Sequence, residues 1–130
     1  MSISQKRWPI ALTRDGFTTV SDFFLDNYSN LKPALTHGEA IFVIHVLRYK
    51  WDLRNPFPSF ARIAEQMGIS TESARRLGRS VETKGLLKRI NRQGRSNVFD
   101  FTGLFEKLVE LKLSEDHRSG ITAPEYDPPL

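Results

Sequence analysis

Two neighbouring segments between residues 59 and 85 carry apolar residues at helical spacing. The first places four apolar residues on one face, at positions i, i+3, i+4 and i+7: Phe60, Ile63, Ala64 and Met67. The second presents an inward stripe of four small or apolar residues: Ala74, Leu77, Gly78 and Val81. Ser59 and Ser70 can cap these two helices, and Gly68 and Gly85 can end them. The pattern predicts two short helices joined by a tight turn.

The second helix has a polar, arginine-rich face opposite its apolar stripe. With successive residues about 100° apart, the outer residues and those flanking them are Thr71, Glu72, Arg75, Arg76, Arg79, Ser80 and Thr83. Ser70 and Ser73 stand at the N-terminus of the same helix, where Ser70 can accept a hydrogen bond from the Ser73 amide. This face is a candidate contact surface.

A hairpin is predicted directly after the second helix. Residues 86–90 and 97–101 alternate or cluster apolar residues as short strands do, and residues 91–95 join them with turn-forming residues. Arg92 and Arg95 lie at the predicted tip. Lys88 and Arg89 cannot both face one partner, because neighbouring strand residues point to opposite sides.

The remaining segments give weaker or simpler patterns. Residues 17–20 are typical of a short strand, and Ser21 with Asp22 can cap a brief helix through Tyr28. Thr36 and Glu39 form a capping box that opens a mostly buried helix reaching about residue 50.

A last helix, capped by Thr102, is predicted over residues 103–113, followed by a flexible tail. The predicted organisation is an N-terminal arm with a short strand and helix (1–30), one folded domain (31–113) and the tail (114–130).

Charge is concentrated in the predicted two-helix and hairpin region. The 130-residue chain has a formal net charge of +4. The segment Ser59 to Phe101 alone holds nine cations against four acids, a surplus of five, so the rest of the chain is slightly acidic. Such focusing favours a polyanionic partner that meets one face of the molecule.

Several classes of function and site are disfavoured by what the sequence lacks. There is no cysteine, and the three histidines, His37, His45 and His117, stand far apart without a metal-ligand or catalytic spacing. No glycine-rich phosphate loop is present. We therefore expect no enzyme activity, no cofactor and no metal site. The longest apolar stretch, Ala40 to Ile44, is too short to span a bilayer, and no secretion signal opens the chain, so we expect a cytoplasmic protein that makes no membrane contact.

The run from Phe57 to Leu87, FPSFARIAEQMGISTESARRLGRSVETKGLL, resembles the winged helix-turn-helix domains of bacterial regulators and of plasmid and phage replication initiators. The segment upstream, GFTTVSDFFLDNYSNLKPALTHGEAIFVIHVLRY, is similar to the strand and first helix of the initiator or replisome-organiser type. The resemblance implies an α+β winged helix-turn-helix fold that binds double-stranded DNA, in replication initiation or, alternatively, in transcription regulation. Gly78 departs from the family pattern and either admits a close neighbour or weakens its helix.

The resemblance also implies roles for the polar face. Arg75, Arg76 and Arg79 would enter the major groove, flanked by Glu72 and Ser80. The hydroxyl residues Ser70, Thr71 and Ser73 would favour phosphate oxygens at the helix N-terminus. Arg92 and Arg95 would form a basic wing along the backbone or minor groove. The alternative is a solvated helix face with a Glu72–Arg76 pair, beside a hairpin tip that is merely soluble.

A protein-interaction or oligomerisation module is the second hypothesis. The helix that starts at Thr36, with Trp51 after it, and the final helix with Phe105 and Val109 offer apolar surface for a homodimer, although core packing is their ordinary role. A purely protein-binding domain would be expected to pair its arginine face with acids inside the monomer.

Overall fold

The computed structural model describes residues 8–50 and 54–118 and shows an α+β arrangement of helices and one two-stranded antiparallel sheet. The elements, in chain order, are α1 Ile10–Thr13, α2 Asp22–Asn27, α3 His37–Leu47, α4 Phe60–Met67, α5 Thr71–Thr83, β1 Lys88–Arg92, β2 Arg95–Asp100 and α6 Thr102–Arg118. Within the described ranges, no helix is long and apolar enough to cross a membrane.

The predicted caps of α2, α3, α4 and α5 are confirmed. Ser21, Ser59 and Ser70 each accept a hydrogen bond on their side-chain oxygen from the amide three residues on. The Thr36 hydroxyl accepts from the Glu39 amide while a Glu39 carboxylate oxygen accepts from the Thr36 amide, which completes the capping box. These bonds satisfy amides that a helix leaves without partners at its start.

The core lies among α3, α4, α5, the sheet and α6. Three phenylalanines join these layers: Phe42 of α3, Phe60 of α4 and Phe99 of β2 have ring centroids 5.4 to 6.4 Å apart. Gly68 adopts the left-handed conformation, with φ of 69°, so the chain turns sharply between α4 and α5. The two helices are thereby packed against each other and against α3.

Gly78 allows a neighbouring side chain to approach the α5 backbone closely, which is one of the two reasons expected for a glycine at this position. A Cβ there would lie 2.8 Å from Cε1 and 3.0 Å from Cζ of Phe60. The absence of a side chain therefore lets the Phe60 ring pack directly on the α5 backbone.

The two strands extend further toward the tip of the hairpin than predicted, and the turn is tighter. Residues 92 and 95 belong to the strands and pair with each other, so only Gln93 and Gly94 form the turn. The register shifts between Ile90 and Arg92, which is a bulge-like irregularity. Gly94 adopts a positive φ of 68°, which glycine tolerates without strain, and the chain reverses over two residues rather than the five expected.

The predicted strand at residues 17–20 is wrong. This segment has no regular secondary structure, and Phe17 is 68% exposed. The segment is bonded to neither β1 nor β2, the two strands that the described residues form. Residues of high strand propensity do not make a strand without an edge to pair with.

The final helix is longer than predicted and is capped differently. Thr102 is its first residue, and the Asp100 carboxylate accepts hydrogen bonds from both the amide and the hydroxyl of Thr102. Residues 114–118, expected to be flexible, continue the helix, with Lys112 paired to Asp116 one turn on at 2.9 Å. Residues 119–130 of the predicted tail lie outside the described residues, as does Trp51.

The base of the hairpin is closed by two glycines. A Cβ on Gly103, at the start of α6, would overlap the carbonyl oxygen of Gly85, which precedes β1. One residue further along each segment, the Leu104 amide donates to the Leu86 carbonyl at 3.2 Å. The segments that precede and follow the hairpin therefore lie in direct contact.

Candidate nucleic-acid interface

Helix α5 is held with one face in the core and the other toward solvent. Ala74, Gly78 and Val81 are buried, as their spacing predicts. The side chains of Glu72, Arg75, Arg76 and Arg79 are exposed and share the opposite face.

The three arginines of this face differ in their pairing. Arg79 donates to the Glu72 carboxylate at 3.1 Å, two helical turns away, with side chains 50% and 60% exposed. The Glu72–Arg76 pair expected under the solvated-face alternative is therefore replaced by a Glu72–Arg79 pair. Arg75 and Arg76 are exposed and make no ion pair with any acid in the described part of the chain.

The three hydroxyl residues at the start of α5 are close together. The Ser70 hydroxyl accepts from the Ser73 amide at 3.0 Å and lies 2.9 Å from the Ser73 hydroxyl, so it acts as the helix cap. Thr71 is half-buried beside them. Ser70 itself is exposed, which leaves this end of α5 open to solvent next to the arginine face.

Ser80 is separated from the arginines and turns toward α3. Its hydroxyl donates to a carboxylate oxygen of Glu39, and the Lys84 ammonium donates to the other. Burial on its own would raise the pKa of Glu39, but the hydrogen bonds from Lys84, Ser80 and the Thr36 amide outweigh it and hold that pKa below its ordinary value. This network ties α5 to the start of α3.

Lys88 and Arg89, neighbours on β1, lie on opposite sides of the strand and have different surroundings. Arg89 donates to the Glu82 carboxylate through Nε at 3.0 Å and Nη2 at 2.8 Å, and its guanidinium lies 5.7 Å from the Phe60 ring centroid. The hydrogen bond from Arg89 lowers the pKa of Glu82. Lys88 is exposed on the other side of the strand. Arg89 therefore fastens the hairpin to α5, and Lys88 is the cation that remains on the surface.

The two arginines next to the hairpin turn have different surroundings. Arg92 is half-buried, and its guanidinium lies over the Phe57 ring at 4.8 Å from the centroid. Arg95 is exposed and pairs with Arg92 across the strands.

Three exposed residues of α4, of the segment before it and of the hairpin were not among the predicted site residues: Arg62, Phe57 and Lys88. Arg62 is exposed on the first turn of α4, and Phe57 is exposed in the segment before it. For Phe57 the sequence signal is its position between Pro56 and Pro58, because the proline that follows restricts its backbone to extended conformations.

The histidines are not brought together by the fold. His37 Nδ1 lies 2.8 Å from the Tyr28 hydroxyl, whereas His45 lies in the last turn of α3 and His117 near the end of α6. Residues 8–50 and 54–118 contain no group of three or more side chains placed to hold a metal ion.

Comparison with known proteins identifies the family. The solved structure of the N-terminal domain of DnaD protein from Geobacillus kaustophilus HTA426 superposes with a TM-score of 0.64, covering 92% of this chain and 98% of that one, at 21% identity. At this identity the likeness establishes the shared fold. None of the curated proteins compared with the chain matches it. Residues 20–119 match the model of the DnaD N-terminal domain, and the chain belongs to this family.

Proposed function

We propose that this protein binds double-stranded DNA through a winged helix-turn-helix and acts in replication initiation of a plasmid or phage, in the bacterial cytoplasm. Helix α5 is the recognition helix in the major groove, α4 supports it, and the hairpin is the wing. Membership of the DnaD N-terminal domain family supports the role in DNA replication.

The observation that carries the proposal is the exposure of Arg75 and Arg76, which have no acidic partner in the described part of the chain. Nearby cations that have a structural task are paired: Lys84 with Glu39 and Arg89 with Glu82. Exposed guanidinium groups on the outer face of a packed helix stay hydrated and contribute little to the stability of the fold. They can form charge-assisted hydrogen bonds to phosphates or a forked contact to guanine.

The wing supplies further charge. Lys88 and Arg95 are both exposed on the hairpin, and Arg89 holds its base against α5 through Glu82. In the proposal, Lys88 and Arg95 contact phosphates and carry no sequence information, whereas the α5 arginines hold phosphates on any duplex and one of them can form a forked contact to guanine at a specific site.

The test is fluorescence anisotropy with a random duplex of about 25 base pairs, titrated over a range of salt concentrations. The wild-type protein is expected to bind with a steep salt dependence. The double variant Arg75→Ala/Arg76→Ala should lose about tenfold or more in affinity, with a salt slope smaller by about two units.

The matched control is Arg14→Ala/Arg118→Ala, which removes the same charge from exposed positions outside α5 and the hairpin. It should keep most of the affinity. Equal losses in the two double variants would mean that only total charge matters, and an absence of duplex binding at low salt would reject the proposal.

An interaction module is the second candidate, and exposed apolar residues favour it. Trp8, Ile10, Leu12 and Phe17 are each more than half exposed, all in the N-terminal segment. The surfaces that the sequence predicts for a homodimer are less available, because Ile44, Leu47 and Phe105 pack on the core. Analytical ultracentrifugation of the wild type and of Trp8→Ser/Leu12→Ser tests self-association through this segment: loss of a dimer in the variant supports it, and a monomeric wild type rejects it.

A further inference from the structure

Phe57 is an exposed aromatic ring held by a rigid segment. The flanking residues Pro56 and Pro58 are buried, and each proline fixes its own φ. The Pro56 carbonyl accepts a hydrogen bond of 2.9 Å from the amide of Phe99 in β2. Phe57 itself is 57% exposed. The fold therefore presents this ring to solvent from a backbone that is fixed on both sides.

The surroundings of the ring are cationic. The Arg92 guanidinium lies 4.8 Å from its centroid, and Arg92 pairs with the exposed Arg95 across the hairpin. Phe57 remains more than half exposed in spite of Arg92. A partner suited to this surface has a flat apolar face to stack on the ring and negative charge spaced along it, and a nucleic-acid strand has both.

We propose that Phe57 stacks on an unpaired base of single-stranded DNA, with Arg92 and Arg95 close to its phosphates. The inference rests on the proposed function, since it extends the DNA surface of the hairpin to a second form of the ligand. In a duplex the faces of each base are covered by its neighbours, so a stacking ring finds a base only where the strands have separated. Stacking of this kind tolerates any base sequence.

The test measures anisotropy of a labelled oligothymidylate of about 15 nucleotides, a length within the range that single-strand binding sites span. Phe57→Ala and Phe57→Leu should each weaken binding roughly five- to 150-fold, the range expected for loss of one stacked base. Phe57→Leu keeps an apolar side chain of similar size, so it separates stacking from burial. Phe57→Trp should retain the affinity.

The second probe is a strand of the same length without bases, which carries the same phosphates. Phe57→Ala should bind it as the wild type does, because only charge is left to recognise. Thermal unfolding of each variant verifies the fold, and because Phe57 is exposed a small change is expected.

Two results would overturn the inference. One is wild-type affinity of Phe57→Ala and Phe57→Leu for oligothymidylate. The other is an equal loss on oligothymidylate, on the base-free strand and on duplex, which would show that the ring acts only by positioning Arg92.

The wild-type protein separates this inference from the proposed function. If it binds duplex and not oligothymidylate, the stacking site is rejected and the proposed function stands. If it binds oligothymidylate with the expected dependence on Phe57 but not duplex, the proposed function fails and the stacking site stands. If Phe57 instead binds a protein partner, the wild type should bind duplex but not oligothymidylate, and the stacking site is rejected.

Discussion

The two sides of α5 carry similar charged side chains in opposite environments. Toward α3, Lys84 meets the carboxylate of Glu39, which is 2% exposed and also accepts from Ser80. Toward solvent, Arg75 and Arg76 are exposed and have no acidic partner among the described residues. Net charge alone does not distinguish these cations. Burial and pairing indicate that Lys84 stabilises the fold, whereas Arg75 and Arg76 are available to a partner.

The energetic basis of this difference is desolvation. A buried carboxylate is tolerated only if its oxygens are hydrogen-bonded, so each donor around Glu39 is required by the fold. An exposed guanidinium stays hydrated, and its removal leaves nothing unsatisfied. The inner side of α5 should therefore respond to mutation through stability and the outer side through binding.

The largest expected effect is on the inner side. Lys84→Met leaves the buried Glu39 carboxylate without its cation and should lower the free energy of unfolding by about 3 kcal/mol. Arg79→Met, which breaks the exposed pair with Glu72 on the outer side, should cost less than ~0.5 kcal/mol. Urea unfolding of both variants measures the contrast, and similar losses would contradict the distinction between the two sides.

The pH dependence of the same variants sharpens this result. The pKa of Glu39 is lowered in the folded protein, so its stabilising contribution is complete above the ordinary value of 4.5 and is lost as the pH falls through the lower folded pKa. The wild type should therefore lose stability on acidification below that value. In Lys84→Met the share of this loss that comes from Glu39 should be smaller, because Lys84 no longer lowers the pKa.

A smaller effect is expected from Gly78→Ala, also on the inner side. The added Cβ would stand 2.8 Å from the Phe60 ring. Its packing cost of ~1 to 3 kcal/mol outweighs the gain of ~1 kcal/mol in helix propensity, so a net loss of about 1 kcal/mol is expected in urea unfolding. Adding Phe60→Leu makes room for the Cβ, and the cost of Gly78→Ala should shrink in that background. A stabilised Gly78→Ala would show that the ring moves freely.

The smallest expected effect is on the outer side. Glu72→Gln removes the acid that engages Arg79 and should raise affinity for a random duplex by up to about fivefold, since an exposed pair is worth less than ~1 kcal/mol. Anisotropy against the same duplex measures it, and unchanged unfolding in urea is the control. Weaker binding after Glu72→Gln would instead mean that this carboxylate itself contacts the DNA.

Features set by residues close in sequence could be predicted. The Thr36–Glu39 capping box, the Ser70 cap and the turn at Gly68 each depend on a few adjacent residues. The arginine face of α5 followed from the spacing of its buried stripe. At each helix end, the residue that bonds to an unpaired backbone group lies within one turn of that group.

Features that depend on distant partners could not be predicted. The bond from Ser80 to Glu39 joins residues 41 positions apart, so the sequence grouped Ser80 with the residues predicted to contact DNA. Residues 17–20 have strand-forming side chains, but a strand requires an edge to pair with. For residues 114–118, polarity indicated disorder, whereas the helix continues because the sequence has no glycine or proline between Gly103, in the first turn of α6, and Gly120.

The close approach of Gly103 to Gly85 makes one position a marker for comparing related domains. Any other residue at 103 would drive α6 away from the entrance of the hairpin, since a Cβ there overlaps the Gly85 carbonyl oxygen. A relative with a larger residue at this position must therefore space the two legs of its hairpin differently. The hairpin of such a relative would stand at another angle to α5, and the exposed cations of the two elements would be spaced differently.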